Sequence, residues 1–540
     1  MSRPDGPTAG GSTDAGSTAV GSSVATTVGY VARRHPDRIA VVDADGRRTA
    51  YRDLVTHASR AAHALTALGV RRGDRVAAWM ADGSAYVELY LACATAGFVV
   101  VPLNTRCTVH EVRALIADAE PRALVWSADK DGAVEALRDE GVLTGMASVR
   151  QTRQTRRPGD GTKALDAHDW SALVASGSSV HHPVTTPDDL LVIGYTSGTT
   201  GRPKGALLTH RSVSAVVRQH AAAYRLPPHS TIVMTGSMSF VSVVPAHVLT
   251  HLALAGTIVF PGHWDVSVLL DQVERHRADF TYLPSPVLTE FARVAARHPT
   301  RWRSLAAVLH SASKVPAAAL AELADVVGSR LVEGWGMTEN SGGLMTATSA
   351  ADIEGRRAHP AVLETVGRPL PGYEVRVADG ELLLRGPAVV TGYWRRPEAT
   401  RAAFEGGWFA TGDLGTVDER GYVTVLERRT DLILSGGMNV YPAEVEAVIA
   451  TVPGVAACAV VGVPHPRWGQ TVVAMVVPRD GTALDPADIS ARCRERLAGY
   501  KKPTEILLAA HLPTTVAQKV SRAAVREVAR ERLRARAHDT

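Results

Sequence analysis

The sequence predicts an α/β protein whose large N-terminal region contains stacked α/β sheets and a small β-barrel-like part, followed by a small C-terminal α+β domain. Three observations support this fold class. Helical and strand patterns alternate through most of the chain, two hairpin signals follow Gly367, and a smaller α+β pattern begins at Asp431. At 540 residues the chain also exceeds the usual size of a single domain.

The first alternation begins with "YRDLVTHASRAAHALTALGV", which places its apolar residues on one helix face and ends at Gly69. The segment "DRVAAWM" then reads as a strand, and the helix after it leads to a second strand, "FVVVPL". Because such strand–helix–strand units connect parallel strands, we expect mostly parallel sheets that are covered by helices.

Two hairpins and a domain change are predicted further along. "YEVRVADGELLLRG" carries Asp379 and Gly380 between two alternating runs, and "GTVDERGYVTVLER" turns at residues 418–421. We therefore place an N-terminal domain at 28–428 and a C-terminal domain at 431–540. Residues 1–27 are rich in Gly, Ser, Thr and Ala and lack the apolar core of a signal peptide, so we expect a disordered tail there.

The composition argues against several classes of partner. The net charge is only +5 and the arginines are scattered, which is not typical of a nucleic-acid binder. The four cysteines have no C-x-x-C spacing, so a reducing compartment is expected. Glu88 and Gly97 interrupt the most apolar window, Ala85–Leu103, which favours a buried helix and strand over a membrane span. We expect a cytoplasmic protein with no nucleic-acid or membrane partner.

A strand, "LLVIGY", and a helix, "HRSVSAVVRQHAAAYR", flank the loop "TSGTTGRPKG". The loop is not a Walker loop, because Arg202 and Pro203 separate Gly201 from Lys204. Glycines let backbone N–H groups turn inward, hydroxyls add donors, and the lysine adds positive charge. We therefore predict a phosphate cradle made by Thr196, Ser197, Gly198, Thr199, Thr200, Gly201 and Lys204.

This loop, "YTSGTTGRPKG", resembles the signature loop of the AMP-forming acyl- and aryl-CoA ligases. These enzymes form the adenylating superfamily that includes luciferases and peptide-synthetase adenylation domains. The resemblance covers nearly the whole chain, with its motifs in the family's order. It implies that 28–428 is an adenylation domain binding ATP and acid, and that 431–540 is a mobile lid. It further implies that a carboxylic acid is activated with Mg²⁺ and ATP as an acyl-adenylate and then transferred to CoA.

Two further motifs belong to the predicted nucleotide site. "EGWGMTEN" is similar to the family's "YGMTE", with Trp335 where tyrosine is commoner. The resemblance implies that Gly334 and Trp335 adjoin the adenine, that Thr338 contacts the α-phosphate, and that Glu339 helps to hold Mg²⁺, for which a hard oxygen ligand is suitable. In "TGDL", Asp413 matches the aspartate that accepts from both ribose hydroxyls.

The predicted domain junction follows this motif. Arg428 matches a family arginine of the ATP site, and Glu427 replaces the usual glycine before it. Where the family usually has an Asp or Lys hinge this chain has Thr430, with Asp431 next, so either residue is a candidate for the hinge. In "SGGMN", Gly436 and Gly437 would let the pantetheine of CoA pass close to the backbone.

The segment "LPTTVAQKVSR" is similar to the family's "LPRTASGKIQR", with Gln518 in place of glycine and Lys519 at the catalytic lysine. A lysine ammonium is protonated at neutral pH and cannot act as a base. The resemblance therefore implies an electrostatic role, in which Lys519 pairs with the substrate carboxylate and the α-phosphate. Together with Lys204, Thr338 and Glu339, it makes up the predicted catalytic set.

The acid-binding pocket is expected between "GSMSFVSVVPAHVLTHLALAGT" and "LHSASKV". Its predicted lining residues suggest a mixed apolar pocket for an aryl acid or a short to medium acyl chain: Phe240, Ser242, Val243 and Ser311. The family's usual histidine is absent from the first segment. His247 could replace it, although a lone histidine on an apolar stretch is more often a packed core residue.

Alternatives remain for the acceptor. "SGGMNVYPAEVE" favours CoA, and we expect a free-standing enzyme because no carrier-protein domain follows. The other acceptors are a carrier-protein thiol, an amine, or nitrite in a diazo-forming reaction. A non-catalytic adenylate-binding homologue is the third reading, suggested only by the departures at Gln518, Thr430 and Glu427 and by the altered pocket.

Overall fold

The computed structural model describes residues 23–151, 167–179, 185–197, 203–311, 315, 317–428, 433–479, 481–513, 520 and 522–538. Its helices are α1 Val24–Arg34, α2 Tyr51–Ala67, α3 Ser84–Ala96, α4 Val109–Ala119, α5 Asp131–Asp139, α6 Trp170–Ser176, α7 His210–Ala223, α8 Thr250–Ala253, α9 Val266–His276, α10 Leu288–Arg297, α11 Ala317–Val327, α12 Ala350–Glu354, α13 Pro397–Ala403, α14 Pro442–Ile449, α15 Pro486–Arg496 and α16 Arg522–His538.

The strands run from Ile39 to Leu508. They are β1 Ile39–Val42, β2 Arg48–Ala50, β3 Arg75–Trp79, β4 Val99–Pro102, β5 Ala123–Ser127, β6 Ala147–Gln151, β7 His168–Asp169, β8 Leu190–Ser197, β9 Pro203–Thr209, β10 Thr231–Val233, β11 Thr257–Val259, β12 Phe280–Tyr282, β13 Ala307–Ser311, β14 Leu331–Gly336, β15 Leu344–Ala347, β16 Arg368–Pro369, β17 Glu374–Ala378, β18 Glu381–Arg385, β19 Phe404–Glu405, β20 Trp408–Val417, β21 Val423–Arg428, β22 Ile433–Ser435, β23 Met438–Val440, β24 Val455–His465, β25 Gly469–Pro478 and β26 Glu505–Leu508.

Two large sheets form most of the N-terminal domain. Among the described residues, a nine-stranded sheet has the order β16-β15-β14-β13-β12-β10-β11-β1-β2, and a seven-stranded sheet has the order β7-β6-β5-β3-β4-β8-β9. Their central strands are parallel and antiparallel pairs lie at the edges, such as β1 with β2 and β8 with β9. The predicted α/β class with mostly parallel sheets is therefore confirmed.

The two smaller sheets follow in chain order. The order β17-β18-β20-β19, with β21 on β20, makes the barrel-like part, and the order β23-β22-β25-β24, with β26 on β25, makes the C-terminal sheet. Both predicted hairpins are present, as β17–β18 and β20–β21. In the first, Asp379 and Gly380 take φ values of 49° and 78°, which explains the Asp-Gly pair at this turn. The barrel-like sheet ends at Arg428 and the C-terminal sheet begins at Ile433.

The first helix begins inside the range 1–27 that the sequence predicts as a disordered tail. Ser23 caps α1 by accepting a hydrogen bond from the Thr26 N–H, and Val24 and Val28 are buried. The predicted end of the tail is therefore too late, because buried valines already join these residues to the core. Residues 1–22 lie outside the described part of the chain.

The apolar window Ala85–Leu103 forms a buried helix, α3, and the buried strand β4, as predicted. Glu88 is tolerated in the core because its carboxylate accepts from Trp170 Nε1 at 3.0 Å and lies 2.9 Å from His57 Nδ1. Within the described residues, no helix is both long and apolar enough to cross a bilayer.

A buried charge cluster joins the two domains. The Lys501 ammonium lies 2.8 Å from Oε1 of Glu111, on α4, and 2.7 Å from Oε1 of Glu444, on α14. Burial alone disfavours the ammonium, but the two carboxylates hold the pKa of Lys501 above its ordinary value. Thr108 adds a second connection, because its hydroxyl donates to the Arg496 carbonyl at 3.2 Å.

We expect Lys501→Met to destabilise the protein, because it leaves the buried carboxylates of Glu111 and Glu444 without their shared cation. Removing one partner from a buried ion pair costs about 3–5 kcal/mol, so the thermal unfolding midpoint should fall by about 2–5 °C. Lys502→Met, which alters the next residue outside the cluster, is the matched control. Equal midpoints for the two variants would contradict the role of the cluster.

Candidate active site

A cavity of about 2080 Å³ lies between the N-terminal domain and the C-terminal domain. It brings together most of the residues that the sequence singles out for nucleotide, metal, acid and CoA. The predicted residues that line it are Thr196, Gly334, Trp335, Thr338, Glu339, Asp413, Phe240, Ser242, Val243, Ser311, Gly436 and Gly437.

The phosphate loop joins two antiparallel strands. The sequence predicts a strand, a loop and a helix, but β9 pairs with β8 in the register Thr196 with Lys204 before α7 begins. The loop is therefore at the tip of a β-hairpin and not at a helix N-terminus. β9 forms because Ala206 and Leu208 are buried against the sheet, and α7 starts one residue after Thr209, whose side chain caps it.

Several predicted site residues cannot be placed through their side chains. Gly198, Thr199, Thr200, Gly201 and Lys519 lie outside the described residues. For Arg428 only the backbone is described, and it pairs with Asp413 across β20 and β21. For Ser197 also only the backbone is described, and it pairs with Pro203 across β8 and β9. Lys204 is described and is not among the residues that line the cavity.

The predicted adenine and ribose residues contact each other directly. Trp335, on β14, donates from Nε1 to Oδ2 of Asp413, on β20, over 2.9 Å. Asp413 is only 2% exposed, and its backbone N–H donates to the Thr411 hydroxyl at 3.1 Å. An aromatic plane and a carboxylate held together in this way fit the base and the sugar of one nucleoside.

The turn after β14 carries the predicted phosphate and metal residues. Residues 338–340 form a short 3₁₀ turn, and Ser341 then takes a left-handed φ of 51°. β8 approaches this turn closely, because a Cβ on Gly194 would lie 3.1 Å from the Thr338 methyl group. The glycine thus permits the contact between the phosphate hairpin and the turn.

Tyr393 connects the predicted metal carboxylate to the predicted phosphate lysine. Its hydroxyl donates to Oε1 of Glu339 at 3.0 Å, and the Lys204 ammonium lies 5.5 Å from its ring centroid. Sequence reasoning missed Tyr393, because only the tertiary fold brings residues 54 positions apart into this contact. The sequence feature that could have pointed to Tyr393 is the aromatic segment "TGYWRRP", which follows the hairpin β17–β18.

Glu339 is a suitable ligand for Mg²⁺, but it supplies only part of the metal's coordination shell. Mg²⁺ usually binds one or two carboxylates and completes its octahedron with water and substrate phosphates. Within the part of the chain that the structure describes, no group of three or more His, Cys, Asp or Glu side chains could hold a metal. The Glu339 carboxylate fits Mg²⁺ as one ligand beside water and the phosphate oxygens of ATP.

The segment predicted to line the acyl pocket is held by the carboxylate of Asp82, which itself lines the cavity. Asp82 accepts from the backbone N–H of Met238 at 2.7 Å and from the hydroxyl of Ser237 at 3.1 Å. Loss of hydration among the surrounding protein atoms raises the pKa of Asp82 to about 6, although both hydrogen bonds oppose the shift. These bonds hold the turn that precedes Phe240 and Ser242, and a Cβ on Gly342 would lie 2.5 Å from the Ser242 Cα, so this glycine permits close packing.

A second carboxylate, Glu333, lines the cavity directly before Gly334. Its Oε2 lies 2.6 Å from His310 Nδ1, and His310 Nε2 lies 2.9 Å from the Ser285 hydroxyl. Burial raises the pKa of Glu333, whereas His310 opposes this shift. Sequence reasoning missed this pair, because the two residues come from adjacent parallel strands, β13 and β14.

The C-terminal domain supplies one wall of the cavity. Gly436 and Gly437 form the β22–β23 turn with φ values of 59° and 76°, and the Gly436 N–H donates to the Trp468 carbonyl at 2.8 Å. A Cβ on Gly437 would meet nothing within 4 Å, so open space lies beside this backbone. The glycines predicted for CoA thus face the same cavity as the predicted nucleotide residues.

Comparison with known families and proteins agrees with this geometry. The AMP-binding enzyme family matches residues 29–394, and the AMP-binding enzyme C-terminal domain matches residues 444–519. A feruloyl-CoA synthase from Amycolatopsis sp is 36% identical over 511 residues, which cover 92% of this chain and 96% of that protein.

Two solved structures are similar over almost their whole length. The amide bond synthetase McbA from Marinactinospora thermotolerans has a TM-score of 0.82 at 29% identity and covers 94% of this chain and 99% of its own. A double mutant of o-succinylbenzoate CoA synthetase from Bacillus subtilis, bound with a product analogue, has a TM-score of 0.81 at 26% identity and covers 93% and 98%. The chain therefore belongs to the AMP-binding enzyme family, in the adenylating superfamily of AMP-forming acyl- and aryl-CoA ligases.

Proposed function

We propose that this protein activates an aryl or a short to medium acyl acid with Mg²⁺ and ATP and transfers the acyl group to CoA. One observation carries the proposal. A single cavity is lined by the nucleoside pair of Trp335 and Asp413, by the Glu339 carboxylate and by the Gly436–Gly437 turn of the C-terminal domain. Sites for ATP, for the acid and for a thiol are thereby continuous.

In the first half-reaction the acid's carboxylate attacks the α-phosphorus of ATP, and pyrophosphate leaves. The carboxylate is already ionised at neutral pH, so the step needs no general base. Trp335 and Asp413 hold the nucleoside, which converts the attack into a reaction between positioned groups. Thr338 and the cations Lys204 and Lys519 would stabilise charge on the phosphates, and Mg²⁺ at Glu339 would supply further charge neutralisation when it is bound.

In the second half-reaction the thiol sulfur attacks the acyl carbon, the bond to the AMP oxygen breaks, and AMP leaves with that electron pair. A Cβ on Gly437 would meet nothing within 4 Å, so a narrow pantetheine arm would have room beside this turn. The Lys501 cluster supports this arrangement of the two domains.

Arginines among the residues that line the cavity favour CoA as the acceptor. Guanidinium groups bind phosphates through paired hydrogen bonds, and the nucleotide part of CoA carries several phosphates. The arginines that line the cavity are Arg106, Arg467, Arg496, Arg526 and Arg530. An amine or nitrite acceptor has no phosphate that would use these cations.

An amine acceptor is the second candidate, supported by the similarity in fold to an amide bond synthetase. In that reaction the same acyl-adenylate forms, and a nucleophilic nitrogen replaces the thiol. The aryl acid itself is favoured by the aromatic rings of Phe240 and Tyr282 in the cavity lining and by the feruloyl-CoA synthase relative.

The deciding experiment measures acid-dependent pyrophosphate release across aryl and aliphatic acids, alone and with CoA, amines, nitrite or an acyl carrier protein. Mass spectrometry then identifies the products. We expect a CoA thioester from an aryl acid, because both aromatic rings and arginines line the cavity. If the product is an amide, a diazo compound or an acylated carrier protein, the acceptor is an amine, nitrite or the carrier-protein thiol instead of CoA. No pyrophosphate release with any acid would reject ligase activity.

We expect Lys519→Ala to abolish adenylate formation, because it removes the cation assigned to the α-phosphate and the acid's carboxylate. Thioester formation from a supplied acyl-adenylate and CoA should remain largely intact. Rapid-quench assays of each half-reaction provide the measurement. An equal loss in both halves would assign the lysine a structural role instead.

We expect Glu339→Ala to raise the Mg²⁺ concentration needed for half-maximal pyrophosphate release by about tenfold or more. Tyr393→Phe should cause a smaller shift in the same direction, because it removes the 3.0 Å hydrogen bond that orients this carboxylate. Tyr373→Phe is the matched control, since the Tyr373 hydroxyl donates to Asn340, the neighbour of Glu339. An equal shift in Tyr373→Phe would contradict the orienting role of Tyr393, and an unchanged Mg²⁺ dependence in Glu339→Ala would remove Glu339 from the metal site.

A further inference from the structure

We infer that Asp118 is a positioning residue for the terminal phosphates of ATP, because it anchors both strands of the hairpin β8–β9 that carries the predicted phosphate loop. The inference rests on the proposed function and deepens it, since it names a residue of α4 that acts on ATP through other residues. Asp118 itself is not among the residues that line the cavity.

The seven-stranded sheet fixes the end of the helix that carries Asp118. Asp118 is the penultimate residue of α4, and Arg75, on β3, donates to the carbonyls of Ala119 and Glu120 at 2.8 Å and 2.7 Å. Carbonyls at a helix C-terminus have no partner within the helix, so the guanidinium satisfies groups that would otherwise need water. The Asp118 carboxylate therefore projects from an anchored helix end.

The first hairpin strand, β8, is held directly. Tyr195 donates its hydroxyl to Oδ2 of Asp118 over 2.6 Å. Burial, together with this hydrogen bond to a carboxylate, raises the pKa of Tyr195, so the hydroxyl keeps the proton that it donates. A hydrogen bond to an ionised acceptor is stronger than one between neutral groups. Tyr195 and the next residue, Thr196, both line the cavity, so this bond sets where the strand meets the predicted nucleotide site.

The second hairpin strand, β9, is held through Trp394 and Arg396. The Asp118 carboxylate pairs with the Arg396 guanidinium, and the Asp118 carbonyl accepts from Trp394 Nε1 at 3.1 Å. The backbone N–H of Trp394 donates in turn to the Gly205 carbonyl at 2.7 Å. Because Gly205 follows Lys204 directly, this chain of contacts also fixes the backbone that carries the predicted phosphate lysine.

These anchors set the spacing between the hairpin and the predicted metal carboxylate. Thr196 and Lys204 pair with each other across the two strands. The Tyr393 hydroxyl that donates to Glu339 belongs to the residue directly before Trp394, so Glu339 is tied to the same segment. Loss of the Asp118 carboxylate would therefore let the hairpin move relative to Glu339, which changes the geometry offered to the β- and γ-phosphates.

The predicted nucleoside residues lie on other elements. Trp335 and Asp413 bond to each other from β14 and β20. Positioning by Asp118 should therefore affect the phosphates beyond the α-phosphate and leave the base and the ribose in place. A general loss of structure would weaken the binding of every nucleotide alike, so a difference between ATP and AMP separates the two explanations.

Calorimetric titration with ATP and Mg²⁺, and separately with AMP, provides the test. Asp118→Asn replaces one of the two accepting oxygens by an amide nitrogen and removes the negative charge. It should raise the Kd for ATP by about tenfold, because hydrogen bonds to a charged group are lost, and leave the Kd for AMP unchanged. Glu120→Gln is the matched control, because it alters an exposed ion pair with Arg395 at the same helix end, and it should change neither Kd.

Tyr195→Phe should also raise the Kd for ATP alone, and it carries the test if Asp118→Asn shows no thermal unfolding transition. The double variant should show less than the sum of the two effects, because both changes remove the same hydrogen bond. An unchanged Kd for ATP, an equal rise for ATP and AMP, or the same rise in Glu120→Gln would overturn the inference alone. No binding of ATP by the unaltered protein would overturn the proposed function and this inference with it.

Discussion

A buried hydrogen bond from the Trp335 indole to the Asp413 carboxylate is the contact on which the arrangement of the cavity depends. It joins β14 of the nine-stranded sheet to β20 of the barrel-like sheet. The two bonded residues are 78 positions apart in the chain. The contact fixes the distance between an aromatic face and a carboxylate, which in the proposed function receive the base and the sugar of ATP. The proposed positions of the metal at Glu339 and of the acid would be set relative to that nucleoside.

The sequence predicts elements well where one local rule decides the structure. The parallel sheets follow from alternating strand and helix patterns, and the β17–β18 hairpin follows from Asp379 and Gly380, which adopt the backbone conformations that such a turn requires. The strand β9 was not predicted, because its short apolar run can either pair with β8 or begin a helix, and pairing is a tertiary outcome. The predicted tail of residues 1–27 ends too late for a related reason: the valines of α1 are recognisable as core only once the rest of the domain covers them.

The candidate site shows the same division. Residues in contiguous motifs, such as Trp335 and Glu339, were found from sequence and line the cavity. Tyr393, His310 and Asp82 were not, because each acts through a contact with a distant segment: Tyr393 with Glu339, His310 with Glu333, and Asp82 with the Ser237–Met238 turn. None of these pairs has a fixed spacing that a motif could encode, and their roles follow only from distances and burial.

The hairpin that carries the phosphate loop limits how its length can vary. Lys204 and the buried Ala206 and Leu208 share one face of β9, because side chains alternate along a strand. An insertion of a single residue that shifted this register would move all three to the opposite face, and the lysine would no longer lie over the Tyr393 ring. An insertion of two residues in β9, or an insertion confined to the tip of the hairpin, would therefore leave these side chains on their present face of the strand.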